Sequence, residues 1–97
     1  MKAVFVTYSQ AYNEKVVEIL ESLNQRGFTR WKDVQGKGSF NGEPHLDNHA
    51  WPRLNDALLT FVKDEKVEPL LASLKAVDEE SPGLGLRAFV WNIENCY

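Results

Sequence analysis

The chain has 97 residues, 43% hydrophobic and 26% charged, which is the composition of one soluble globular domain and not of a disordered segment. Its formal net charge of -3 argues against a nucleic-acid partner, because phosphate contacts need a basic face. A single cysteine, Cys96, excludes an internal disulfide framework. The apolar run from Ala3 to Val6 is too short for a signal segment or a membrane span, so no direct membrane insertion is expected and the expected location is the cytoplasm. A domain of this length buries only about two thirds of its unfolded surface, so oligomerisation is a common route to stability.

The first element, KAVFVTY (2–8), is rich in Val and aromatic residues and apolar enough for a central strand. SQAYNEKVVEILESLNQRG follows. Tyr12, Val16, Ile19, Leu20 and Leu23 recur at helical spacing, with Glu14, Lys15, Glu18, Glu21 and Gln25 on the other side. Gly27 is the expected left-handed cap of this helix, and Arg26 is expected in its last turn, near the negative dipole end. FTRWKDVQGKG reads as a second, partly exposed strand closed by Gly36-Lys37-Gly38.

From Ser39 to Arg53 no periodicity remains. Loops of this length are uncommon in small domains and are usually functional or disordered. NDALLTFVKD resumes as a third strand with its core at Ala57 to Val62. Asp64 suits the cap of the next helix. In that helix Val67, Leu70, Leu71, Leu74 and Val77 share a face, and Pro69 must fall in the first turn. Pro82-Gly83-Leu84-Gly85 makes a tight loop, and LRAFVWNI is the fourth strand.

The order β-α-β-β-α-β predicts a single α+β domain over 1–97, of the ferredoxin-like class. Its four-stranded antiparallel sheet would carry both helices on one face. The other face would lie bare, with Trp31, Phe61, Phe89 and Trp91 as candidates to populate it. A large apolar face on a monomer is unusual, which predicts sheet-to-sheet oligomerisation.

Element order, length and the glycine-rich segments together resemble the PII-like superfamily. The matching pieces are Gly36-Lys37-Gly38 at the end of the second strand, the long loop to Arg53, and SPGLG (Ser81 to Gly85) before the fourth strand. The resemblance covers almost the whole chain. It implies a homotrimer with clefts between subunits, where relatives bind a nucleotide, and a long loop that contacts a membrane transporter or enzyme target. Carried over by position, the ligand-binding residues would be Gly36, Lys37, Gly38, Gly83, Gly85 and Arg87. Arg87 is the only base near the glycine loop, so the charge available to grip phosphates is thinner than in typical members.

The sharpest chemical motif is EPHLDNH, with Glu43, His45, Asp47 and His49. Imidazole and carboxylate together suit a divalent transition metal such as Zn, Ni, Cu or Fe. A polar solvated loop is the plainer account of the same residues. Trp51-Pro52 either anchors the loop base or docks a partner. No nucleophile elbow, P-loop or zinc-protease helix motif is present, so no catalytic residue is assigned and an enzyme is not expected. The leading expectation is a regulatory sensor that binds a small ligand at subunit clefts and signals through the 36–54 loop. Its alternatives are a metal-binding protein related to the CutA type, using His45, Asp47 and His49, and a small enzyme on the same scaffold.

Overall fold

The computed structural model describes residues 1–36 and 54–97. Four strands, β1 (Lys2–Ser9), β2 (Thr29–Val34), β3 (Asn55–Val62) and β4 (Arg87–Asn92), form one sheet in the order β2-β3-β1-β4. The three strand pairings are all antiparallel. Two helices, α1 (Asn13–Ser22) and α2 (Val67–Glu80), complete the predicted order. The most apolar strands, β1 and β3, take the two central places. The charged β2 sits at an edge with most of its residues exposed.

Strand alternation sends Val4, Val6, Tyr8, Leu58 and Val62 to one face. There they pack in one core with Val16 and Leu20 of α1 and Leu70, Leu74 and Val77 of α2. Tyr8, Leu20, Leu58, Leu70 and Leu74 are the largest fully buried side chains. Burying each aliphatic one contributes about 1.5–3 kcal/mol. Both helices therefore cover the same face, as the alternating pattern required.

Local capping differs from the sequence expectation in three places. Helix α1 ends at Ser22, and its left-handed residue is Asn24, at φ 56°. The Asn24 N–H donates to the Glu21 carbonyl at 2.9 Å and the Gln25 N–H to the Leu20 carbonyl at 2.8 Å. These two bonds make a Schellman cap three residues before Gly27, because Asn also tolerates the left-handed region. Arg26 consequently lies beyond the helix and not in its last turn. Asp64 does not cap α2. It opens a 3₁₀ turn (Asp64–Lys66) and pairs with the Met1 amine at 2.9 Å. Pro69 does fall in the first turn of α2, where its missing N–H costs nothing.

Trp31, Phe61, Phe89 and Trp91 all lie on the face away from the helices, and each is about half exposed. Across that face Phe61, Ala3 and Trp91 form one row, and Leu59, Phe5 and Phe89 the next. Among the described residues no helix is long and apolar enough to cross a membrane.

Candidate functional site

The open face changes character toward the end where β2 stops and β3 and β4 begin. Its last full row crosses all four strands as Trp31, Ala57, Thr7 and Arg87. The small side chains of Ala57 and Thr7 leave a hollow beside the Trp31 ring. Phe5, Thr7, Trp31, Val34, Gln35 and Ala57 line an open cup of about 410 Å³ there. Phe5 and Trp31 meet edge to face, with ring centroids 6.3 Å apart. This packing steadies the indole without covering its other side. Such a cup suits a flat, mostly apolar group with polar atoms at its rim.

A β-bulge brings Val34 into this cup. Trp31 pairs with Ala57 and Val34 with Asn55, so three steps along β2 match two along β3. Asp33 absorbs the extra residue at φ 60°. Three residues later comes Gly36. A methyl group added there would come within 2.9 Å of the Asn55 side-chain amide, which is itself buried. Glycine thus lets the backbone pass close to Asn55.

Behind the cup, on the helix side, the same strand ends converge on Asp56. Its side chain is fully buried in a salt bridge to Arg30, with Nη2 at 2.5 Å and Nε at 3.0 Å from Oδ2. Its Oδ1 accepts from Gln10 Nε2 at 3.1 Å and from the Asp33 N–H at 3.2 Å. Gln10 also donates to the Asp33 carboxylate, and its backbone N–H to the Leu54 carbonyl at 3.1 Å. Burial alone would raise the Asp56 carboxyl. The Arg30, Gln10 and Asp33 hydrogen bonds outweigh it and hold the group below the usual carboxylate range. The neighbouring Tyr8 hydroxyl donates to Asn13 at 2.8 Å and is pushed up to about 12, chiefly by burial and then by the Asp56 charge.

The predicted ligand residues that are described gather at this end of the sheet. Gly36 follows the cup on the β2 side. Gly85, at φ 72°, turns the chain into β4, and Arg87 is its first residue, directly opposite Thr7 of the cup. Gly83 has open space around it and no steric need to be glycine. Lys37, Gly38, Glu43, His45, Asp47 and His49 lie outside the described residues, as do Trp51 and Pro52. Among the described residues no three His, Cys, Asp or Glu side chains cluster as a metal site would need. Cys96 is exposed and free.

Sequence reasoning missed Asp56, Arg30 and Gln10. Twenty-six residues separate Asp56 from Arg30, and only the strand register joins them. The signal available was an aspartate at the start of an otherwise apolar strand. It also missed Thr7 and Ala57, whose small size matters only beside Trp31.

The family model for nitrogen regulatory protein P-II matches residues 1–97. The chain belongs to the P-II family. The cup, Gly36 and the Gly85–Arg87 turn are therefore features of a P-II domain, and the resemblance read from its glycine segments holds. Solved structures agree in fold. The apo form of CPII, a nitrogen regulatory PII-like protein from Thiomonas intermedia K12, superposes with a TM-score of 0.74 at 22% identity, over 95% of this chain and 87% of that one. CPII from the same organism bound to ADP and bicarbonate gives 0.76 at 22% identity, over 95% and 84%. A 2.3 Å structure of CPII bound to ADP, AMP and bicarbonate gives 0.73 at 22% identity, over 95% and 90%. No curated protein sequence matches this P-II chain.

Proposed function

We propose that this P-II protein is a sensor of adenine nucleotides. The base would sit in the Trp31 cup and the phosphates would run along the sheet row toward Arg87. The observation that carries this is the row itself. It joins an aromatic cup to Arg87, the first residue of β4, at the sheet end where Gly36 and Gly85 also lie. Stacking a base on an indole contributes about 1–3 kcal/mol. Ligands of the CPII structures, ADP, AMP and bicarbonate, give the first compounds to try. Three copies with their half-exposed aromatic faces turned inward would form a homotrimer, whose subunit clefts would close over the cup. The 36–54 loop leaves directly from the cup and would report occupancy to a partner protein, a membrane transporter or an enzyme. This role is regulatory and not catalytic.

Calorimetric titration of the wild type and of Trp31→Ala with ADP, AMP and ATP, with and without bicarbonate, tests the ligand. Binding that weakens about tenfold or more in the variant supports the cup. Absence of binding at millimolar nucleotide, or equal affinity in the variant, overturns it. Limited proteolysis within 36–54, with and without ADP, tests the loop. A cleavage rate indifferent to nucleotide removes its signalling role. The metal-binding alternative rests on the Glu43, His45, Asp47 and His49 motif alone.

A further inference from the structure

Arg87 opens β4 with its guanidinium held at one corner. Nη1 donates to the Leu86 carbonyl at 2.7 Å and lies 3.5 Å from Asp78 Oδ2. Among the described residues, Nε and Nη2 have no protein acceptor. Asp78 comes from the last turn of α2, and its other oxygen, Oδ1, is buried without a hydrogen-bond partner. Both contacts therefore spend the same nitrogen.

A guanidinium offers an oxoanion two bidentate edges, the Nη1–Nη2 end and the Nε–Nη2 side. Occupying Nη1 closes the first and leaves the second. We propose that Asp78, together with the Leu86 carbonyl, is a positioning residue that presents the Nε–Nη2 edge of Arg87 to one phosphate of a bound nucleotide. This rests on the nucleotide reading above and adds to it the residue that orients the phosphate grip. A fixed planar fork loses less entropy on binding than a free one, so the pin raises affinity.

The electrostatics of Asp78 work the other way. Its charge repels an incoming phosphate, so a purely coulombic role predicts tighter binding once it is removed. Side-chain exposures of 41% for Arg87 and 25% for Asp78 screen that repulsion. The two accounts thus predict opposite signs for one substitution.

The test is titration of wild type, Asp78→Asn, Asp78→Glu, Arg87→Lys and Arg87→Gln with ADP, AMP and adenosine. Positioning predicts that Asp78→Asn weakens ADP and AMP about three- to tenfold and leaves adenosine unchanged. Asp78→Glu should recover most of the loss. Arg87→Lys keeps the charge but loses the fork, and should weaken ADP by about tenfold. If Arg87→Gln weakens ADP while Asp78→Asn tightens it or leaves it unchanged, this inference fails and the nucleotide reading stands. If Arg87→Gln leaves ADP unchanged, the phosphate path itself is wrong and both fail. A measurement on the unmutated protein guards against a variant that does not fold. Nitrogen-15 spectra of the Arg87 side chain should show separate, slowly exchanging Nη signals, and a single averaged signal overturns the pin.

Discussion

Replacing Asp56 with asparagine removes the charge at the centre of the polar knot while keeping its shape. The carboxylate is fully buried and accepts from Arg30 twice, from Gln10 and from the Asp33 N–H. Hydrogen bonds to a charged group contribute about 1.5–3 kcal/mol each, and leaving a buried partner unpaired costs about 3–5 kcal/mol. The Arg30 side chain is 29% exposed and regains water when released, which reduces that penalty. An amide oxygen still accepts from Gln10 or the Asp33 N–H. The expected cost is about 2–3 kcal/mol. With a urea m-value of about 1–1.5 kcal/mol/M for a chain of this size, the unfolding midpoint should fall by roughly 2 M with m unchanged. Wild type and variant must be compared at one protein concentration, because assembly would stabilise both. Asp56 titrates below its unfolded value in the folded state. Its contribution is therefore full above the unfolded pKa near about 4 and is lost as pH falls through the depressed folded value. Wild-type stability should drop across that window, and the variant should drop less. Asp56→Asn, Arg30→Gln and the double variant complete a cycle. A loss under about 0.5 kcal/mol, additive single effects, or an unchanged acid profile would refute the stabilising role assigned to the knot.

Three further outcomes follow from other parts of the molecule. Phe61→Asp with Trp91→Lys places charges on the exposed aromatic face and should shift sedimentation toward the monomer, while a purely monomeric wild type would end the trimer proposal. Gly85→Ala forces a side chain into φ 72° and should lower stability by about 1–2 kcal/mol in thermal or urea melts; an unchanged melt would mean that the turn relaxes out of that region. His45→Ala with His49→Ala should abolish any Zn, Ni, Cu or Co binding seen by calorimetry, and full retention of affinity would dispose of the metal motif.

Much of the fold was legible because its signals are local. Val4, Val6, Leu58 and Val62 alternate, and Val16, Leu20, Leu70, Leu74 and Val77 recur at helical spacing, so each element could be assigned within its own segment. The bare sheet face followed from the element order alone. Failures came where two residue types satisfy one backbone demand or where a partner is distant in sequence. Asn24 and Gly27 both permit a left-handed cap, and the sequence does not say at which residue the hydrogen bonds close. Asp64 chose the Met1 amine over the helix it precedes. The candidate site was half legible. Gly36, Gly85 and Arg87 stand out as residue types, but the cup between them exists only through the registers of four strands. Asp56 was invisible for the same reason, since its neighbours come from β1, β2 and the turn after β1.

The bulge at Asp33 has a consequence for how this protein can vary. One extra residue on β2 reverses the side on which every later residue of that strand points. Three steps on from Trp31, Val34 joins it on the cup side only because of the bulge. Deleting a single residue between Trp31 and Val34 would leave two steps against two, which removes the bulge and its added twist but keeps Val34 opposite Asn55 on the cup side. Among homologues, loss of that one residue should therefore leave the cup lining in place, whereas one residue more, with no second bulge, would turn the strand end to the helix side.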